Sequence, residues 1–226
     1  SAYVQIGCGI IEYDLKYWHK ATGAGITAYG DNTLAITGAQ GNDLIIGASF
    51  RTITSSATAG QTVEARQSSF ARNGVKNSSL LSIHCYIDNS ENNTALRAFF
   101  GHSNVGSIGN INSSTYTSYL LGIGCDDSDT NYSIFLNKGL STTTKWALPW
   151  SKLGKVEFLL NITFKGGGNS MNIKIKNINT NEEVTQDVIV SNLNRGYFGY
   201  RIWANNATSS AAAKIGLGKI EFNVKL

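Results

Sequence analysis

The sequence carries little charge and has no cluster of either sign. Asp, Glu, Lys and Arg make up 15% of the 226 residues, below the roughly 25% of an average soluble domain. The formal net charge of +4 comes from scattered lysines and arginines, a distribution that disfavours nucleic acid and anionic membranes as partners. A surface rich in Asn, Ser, Thr and Gly but poor in charge favours hydrogen bonding to neutral polar partners.

Proline, cysteine and long apolar runs are also scarce. Pro149 is the only proline, and the three cysteines are Cys8, Cys85 and Cys125, with no C-x-x-C spacing of the kind that binds zinc. Each cysteine lies in an apolar, strand-like setting, which favours three buried thiols over one disulfide. No apolar run approaches the ~18 residues of a membrane span, so no membrane insertion is predicted.

What the sequence has in abundance is alternation of apolar and polar residues with a period of two. In KVEFLLNITF, the apolar side chains from Val156 to Phe164 point one way and the polar ones the other. GGGN then turns the chain, and SMNIKIKNI repeats the pattern. The two segments predict a β-hairpin with one face in water.

The same alternation recurs along the rest of the chain. It predicts strands at Tyr3–Tyr13, Thr33–Thr37, Leu44–Ile53, Leu80–Ile87, Ala95–Phe100, Tyr116–Ile123, Tyr132–Leu136, Val184–Val190, Tyr197–Trp203 and Lys214–Val224. Between them, GAQGND, DNSENN and DDSDTN are predicted turns, and TITSSATAGQT and KWALPWSK are predicted loops. So many short strands are typical of an all-β sandwich or barrel.

Nothing in the sequence marks a domain boundary. There is no proline-rich linker, and the composition does not shift along the chain. We therefore expect residues 1–226 to form a single β-sandwich domain. Because the chain begins at Ser1 without the features of a signal peptide, we expect it to be excised from a longer fibrous or multidomain protein.

The most aromatic segment of the chain, GYFGYRIWANNATSS, begins at Gly196. Alternation places Phe198 and Ile202 on one face, which we assign to the core, and Tyr197, Arg201 and Trp203 on the other. Rings and amides together suit a sugar, because an aromatic face stacks on a pyranose while polar groups reach its hydroxyls. Core packing of the same rings stays open as the alternative.

Two further groups are candidate ligand contacts. Asn205 directly follows the aromatic segment, and Trp146 and Trp150 lie in the predicted KWALPWSK loop. In the turn CDDSDTN, Asp127 and Asn131 are predicted to face a polar ligand.

The order of segments in the C-terminal third resembles the concanavalin A-like jelly roll shared by L-type lectins, laminin-G-like modules and some glucanases. The resemblance is carried by the hairpin KVEFLLNITF…NIKIKNINTNEE, the strand ending VIVSNLNRG, then YFGYRIWANNATSS and the closing IGLGKIEFNVKL. It implies a two-sheet antiparallel jelly-roll sandwich in which the last strand pairs beside the first.

The resemblance also implies two chemistries. Glucanases of this fold carry E-x-D-x-x-E on one strand, and the nearest match, IEYDLKYW, offers Glu12 and Asp14 without the second glutamate. L-type lectins place metal-binding carboxylates after an alternating strand. Here Asp127, Asp129 and Asn131 follow a D-x-D-x-N spacing that could offer oxygen ligands to Ca²⁺, but the family's E-x-D pair is missing. We therefore predict no catalytic residues, no metal and no cofactor.

These features predict a non-catalytic domain that binds a cell-surface glycan or polysaccharide. We expect it at the tip of a phage tail fibre or bacterial surface adhesin, extracellular at a cell or virion surface, with a homotrimer possible through a fibre shaft. One alternative is a glycoside hydrolase that pairs Glu12 or Asp14 with Asp88 or Glu91. Another is an assembly module whose exposed rings form a subunit interface.

Overall fold

The computed structural model consists almost entirely of antiparallel β-strands. It describes residues 3–5, 10–13, 27–28, 32–37, 39–45, 48–55, 57–72, 79–103, 105, 108–139, 142–165, 170–189 and 197–224. Within these ranges there is one 3₁₀-helix, Ser113–Thr115, and no α-helix. The described residues contain no helix that is long and apolar enough to cross a membrane.

The strands, in chain order, have the following bounds. They are β1 (Tyr3–Gln5), β2 (Ile10–Tyr13), β3 (Thr27–Ala28), β4 (Asn32–Thr37), β5 (Ala39–Ile45), β6 (Ala48–Thr54), β7 (Thr62–Arg72), β8 (Ser79–Asn89), β9 (Arg97–Ser103), β10 (Tyr119–Cys125), β11 (Asn131–Lys138), β12 (Thr144–Ser151), β13 (Gly154–Phe164), β14 (Ser170–Asn177), β15 (Glu183–Ile189), β16 (Tyr197–Asn205) and β17 (Lys214–Val224).

These strands form two sheets. The nine-stranded sheet has the order β1-β2-β17-β8-β13-β14-β15, and the β5-β6 hairpin joins it through β6 and β17. The eight-stranded sheet has the order β12-β11-β10-β9-β16-β7-β4-β3. The prediction of an all-β, two-sheet antiparallel jelly roll is confirmed.

The core lies between the sheets. Phe158 of the nine-stranded sheet contacts three rings of the eight-stranded sheet, with centroids 5.3 Å from Phe100, 5.0 Å from Tyr132 and 5.8 Å from Trp150. The alternating apolar residues of the predicted hairpin all point into this core. That hairpin is confirmed as β13 and β14, paired from Phe158↔Asn177 to Phe164↔Met171.

Strand β17 pairs beside the first strands, as the resemblance implied. Its second half, Ile220 to Asn223, pairs with β2, and its first half, Lys214 to Leu217, pairs with β6. Its other edge pairs with β8 along nearly its whole length. A strand late in the sequence therefore lies in the interior of the nine-stranded sheet.

Several segments differ from the sequence-based prediction. Tyr3–Tyr13 and Leu44–Ile53, each predicted as one strand, are each divided between two antiparallel strands, β1 with β2 and β5 with β6. GAQGND, predicted as a turn, contributes most of β5; KWALPWSK, predicted as a loop, lies in β12; and β7 was not predicted at all. Strand β12 is the edge strand of its sheet, where Pro149 is tolerated because one side of the strand needs no ladder hydrogen bonds. In β5, pairing to β6 outweighs the turn preference of Gly and Asn.

Candidate functional site

Three connections meet at one end of the sandwich and form an open cleft that is lined mostly by polar residues. They are the turn between β10 and β11, the turn between β12 and β13, and the segment between β8 and β9. The cleft has a volume of about 370 Å³, within the range of about 300–1,000 Å³ that is typical of small-molecule sites. The residues that line it are Thr94, Asp127, Ser128, Asp129, Thr130, Asn131, Ser151, Lys152 and Leu153.

The acidic loop, residues 126–131, forms one wall of the cleft. It closes on itself, because the Asp129 amide N–H donates to the Asp126 carbonyl at 3.2 Å and the Asp126 N–H donates to Asp129 Oδ2 at 2.8 Å. The Asn131 amide donates to the Leu148 carbonyl of β12 at 3.0 Å. These bonds fix the shape of the loop and tie it to β12.

Asp127 is held by a cation and an amide. Arg97 Nη2 donates to Asp127 Oδ2 at 2.8 Å, and Asn112 Nδ2 donates to Asp127 Oδ1 at 3.0 Å. The hydrogen bond from Arg97 is the main reason why the pKa of Asp127 lies below its ordinary value. About a third of the Asp127 side chain stays exposed at the cleft.

Lys145 of β12 bridges the other two carboxylates of the loop. Its ammonium donates to Asp126 Oδ2 at 3.0 Å and to Asp129 Oδ2 at 2.5 Å. Burial alone would lower the pKa of Lys145, but the hydrogen bonds to Asp129 and Asp126 outweigh that effect and raise it. Lys145 therefore stays positively charged between the two carboxylates.

Lys152 stabilises the loop by donating hydrogen bonds to its backbone carbonyls. Its side chain is almost fully buried, with 1% of the residue exposed. The ammonium donates to the carbonyl oxygens of Asp126 and Asp127, both at 2.8 Å, and of Leu96 at 3.3 Å. Burial lowers the pKa of Lys152, and the three carbonyl acceptors match the three donors of an ammonium.

Buried asparagines join the neighbouring loops. Asn89 Nδ2 donates to the Lys152 carbonyl at 2.8 Å and to the Asn93 carbonyl at 3.0 Å. Asn206 Nδ2 donates to the carbonyls of Thr58 and Ala211, and the Asn206 carbonyl accepts from Asn93. The loops around the cleft are therefore tied together by amide side chains that the sequence analysis did not single out.

The predicted aromatic surface is packed in this structure. Trp203 is 1% exposed, stacks on Phe99 with centroids 4.5 Å apart, and lies under the edge of Tyr116 at 5.9 Å. Arg201 is equally buried and pairs with Glu64. Of the two interpretations of these rings, the structure shows the packed one, because Val105, Ile108 and Tyr116 pack against Trp203 and Phe99 on this face of the eight-stranded sheet.

Of the other predicted ligand contacts, some are packed inside the protein and some line the cleft. Asn205 is buried and donates to the Gly60 carbonyl and to Thr62. Trp150 is buried in the core, with its Nε1 donating to Glu182 at 2.8 Å, and Trp146 packs against the same core. The side chain of Tyr197 lies outside the described residues. Among the predicted contacts whose side chains the structure describes, Asp127 and Asn131 line the cleft.

The strand register separates the carboxylates of the glycosidase alternative. Glu12 pairs with Glu221, and Glu221 pairs with Ser82 of β8. Asp88 is six residues further along β8, about 20 Å at 3.3 Å per residue, whereas glycosidase carboxylates lie roughly 5–10 Å apart. Asp14 lies outside the described residues. The backbone register thus gives Glu12 no catalytic partner in Asp88.

The described cysteines are structural residues. Cys85 and Cys125 are buried free thiols, and burial raises both pKa values, that of Cys125 to about 12. His84 points away from Cys85 and contacts Glu157 at 2.6 Å. Cys8 lies outside the described residues. Both described thiols are therefore unreactive core residues, as predicted.

Comparison with solved structures identifies the fold. The chain is similar to the lectin UEA-II complexed with galactose, with a TM-score of 0.56 and 11% identity over 96% of this chain and 98% of that one. It is also similar to arcelin-5, a lectin-like defence protein from Phaseolus vulgaris, with a TM-score of 0.55 and 11% identity over 89% and 96% of the two chains. The fold is that of the legume lectins.

A third similar structure contains a metal ion. It is the exoplasmic/lumenal domain of VIP36 in a form bound to Ca²⁺ and Man3GlcNAc, with a TM-score of 0.51 and 10% identity over 85% and 83% of the two chains. No protein-family model and no curated protein sequence matches this chain. The comparisons therefore establish the jelly-roll fold.

The residues of this chain do not fit a Ca²⁺ ion in the acidic loop. Ca²⁺ needs six to eight oxygen ligands at about 2.3–2.6 Å, but Asp126 and Asp129 already share Lys145, and Asp127 is bound by Arg97. In the described part of the chain, no group of three or more His, Cys, Asp or Glu side chains is arranged to hold a metal. The D-x-D-x-N spacing in this loop instead serves turn formation and ion pairing.

Proposed function

We propose that this protein binds carbohydrate without chemically transforming it, through the polar cleft beside the acidic loop. The observation that carries the proposal is the cleft itself, which brings hydroxyl, carboxylate and amide groups together at the loop end of a lectin jelly roll. Asp127 and Asn131, predicted from the sequence as ligand contacts, are both part of its lining.

The chemistry of the cleft suits a hydroxyl-rich ligand. Asp127 offers carboxylate oxygens as acceptors, while the lining hydroxyls can both donate and accept. Leu153 lines the same cleft and is 40% exposed, so it offers an apolar contact for the C–H face of a sugar ring. Because the acidic loop is already held by ion pairs and backbone hydrogen bonds, little ordering is needed when a ligand binds.

We further propose that the chain is the recognition domain of a phage tail fibre or bacterial adhesin, exposed at a virion or cell surface. The support is its weakly charged composition, rich in Asn, Ser, Thr and Gly, together with its lectin fold. A homotrimer formed through a fibre shaft belongs to the same proposal, and sedimentation of the full-length protein would test it.

A glycan array that includes bacterial surface polysaccharides tests the binding proposal, with calorimetry on each glycan that binds. Thr94→Trp should block the cleft, because Thr94 is an exposed lining residue. We expect this change to weaken binding at least about tenfold, or 1.4 kcal/mol. Thr185→Trp is the matched control, because Thr185 is an exposed residue of β15 in the nine-stranded sheet and does not line the cleft.

Two results would contradict the proposal. A folded protein that binds no glycan on the array would argue for a protein receptor or an assembly interface. Glycan binding that Thr94→Trp and Thr185→Trp affect equally would show that the ligand lies elsewhere on the molecule.

A further inference from the structure

We propose that the ammonium groups of Lys145 and Lys152 hold the acidic loop in the way that a bound metal ion would, so that the cleft forms without metal. This inference concerns the loop that builds the cleft. It does not depend on which ligand the cleft takes.

The first step of the argument is the surroundings of Lys152. Carbonyl oxygens from two separate segments, Leu96 on one side and Asp126 and Asp127 on the other, converge on its ammonium at 2.8–3.3 Å. Backbone carbonyls gathered from separate segments around one cation are a typical arrangement for a hard metal ion. Here a side chain of the same polypeptide supplies the cation.

The second step is the placement of Lys145 between two carboxylates. Asp126 and Asp129 would repel each other at this spacing, but a single ammonium lies within 3.0 Å of an oxygen of each. Asp126 is buried, so its charge requires a partner inside the protein. Lys145 therefore bridges the two carboxylates as a divalent cation often does.

The third step is charge balance. Among the side chains described around the loop, Arg97, Lys145 and Lys152 carry three positive charges, and Asp126, Asp127 and Asp129 carry three negative charges. A divalent ion added to this neutral group would lie beside ammonium groups that occupy the same oxygen atoms. Like charges at that distance repel strongly where water is excluded.

The consequence is that the order of the loop, and the shape of the cleft, should be independent of Ca²⁺ and of chelators. Hydrogen exchange of the Asp126 and Asp129 amides reports this order directly, because both amides donate within the loop. For the unmodified protein, we expect the same exchange rates and the same Tm in EDTA and in excess Ca²⁺. A fall in Tm or faster loop exchange in EDTA would overturn the inference.

The lysines themselves are tested by substitution. Lys145→Gln removes the charge that bridges the two carboxylates and should speed exchange of the Asp126 and Asp129 amides by at least about tenfold through local opening. Lys174→Gln is the control, since Lys174 forms an exposed pair with Glu183 on β14 and β15. Loop exchange unchanged by Lys145→Gln would also overturn the inference.

Lys152→Met is the more drastic variant, because it removes the buried ammonium that donates to three backbone carbonyls. We expect a lower Tm than that of the unmodified protein, both in EDTA and in the buffer alone, and an unchanged Tm would contradict the inference. If this variant does not fold, Lys145→Gln carries the test alone. None of these measurements uses a glycan, so the inference and the proposed function can fail separately.

Discussion

Among the described residues, Trp203 is the largest side chain that is fully buried. Its stacking on Phe99 and its cover by Tyr116 indicate a packing role. We therefore expect Trp203→Ala to lower the free energy of unfolding by about 3–5 kcal/mol, as for other large-to-small core substitutions. Urea denaturation followed by circular dichroism measures the change.

Ile111→Ala is the control for that substitution, because Ile111 is 46% exposed and should change stability by less than about 0.5 kcal/mol. If Trp203→Ala abolished glycan binding and left stability unchanged, Trp203 would be a ligand contact, and the packed conformation would not represent the binding state.

Asp127 is expected to make stability depend on pH in acid. Its pKa in the folded protein lies below the ordinary value of 3.8 because of the Arg97 hydrogen bond. The stabilisation is therefore fully present above pH 3.8 and is lost as the pH falls through the lower folded pKa. Because the pair is partly exposed, the effect should be modest and should shrink in high salt.

Asp127→Asn tests this dependence, because an amide does not titrate. We expect the Tm of the unmodified protein to fall more steeply than that of Asp127→Asn between about pH 5 and pH 2. Glu91→Gln removes an exposed carboxylate in the turn that follows β8. The Tm of this control should fall with pH as steeply as that of the unmodified protein. Parallel curves for Asp127→Asn and the unmodified protein would show that the ion pair with Arg97 does not contribute.

At the scale of elements, the close approach of β9 and β10 depends on a pair of facing glycines. Gly101 pairs with Gly122 across the two strands. It has a φ of +151°, and a Cβ there would lie 2.3 Å from the Leu121 carbonyl oxygen. Gly101→Ala should therefore lower the free energy of unfolding by about 1–3 kcal/mol, since backbone must move to make room.

Gly109→Ala is the matched control. A Cβ at Gly109 would meet no atom within 4 Å, and the amide that donates to Tyr116 is retained. Urea denaturation of both variants gives the comparison. Equal stability of Gly101→Ala and Gly109→Ala would mean that β9 and β10 can move apart without loss.

The sequence predicted strands well where the pattern alternates and poorly where pairing decides. In β13 and β14, one face meets the core and the other meets water, so the period of two is visible in the sequence. Strands β10 and β11 were also predicted, from the segments Tyr116–Ile123 and Tyr132–Leu136, although every residue of β10 and most of β11 are buried. Strand β12 combines Pro149 with an edge position, and only the topology of the sheet shows that these are compatible.

At the scale of the whole molecule, the fold class could be predicted from the sequence, but only two residues of the candidate cleft could be. Asp127 and Asn131 were recognisable because they lie in a turn rich in Asp and Asn. Lys152 and Lys145 were not, because they lie 26 and 19 residues from Asp126 in sequence and meet it only when β12 pairs with β11. Trp203 and Arg201 are both buried. Alternation shows which side chains share a face of a strand, but it does not show whether other residues cover that face.

The position of β17 has a consequence for how the chain folds during synthesis. Strand β8 pairs with β13 on one side and with β17 on the other, and residues 214–224 are synthesised after both β8 and β13. Until they emerge, one edge of β8 lacks its partner, and pairing across so long a sequence separation is slow. An unpaired edge next to an apolar core invites association between nascent chains, so slower growth at low temperature should improve the yield of folded protein.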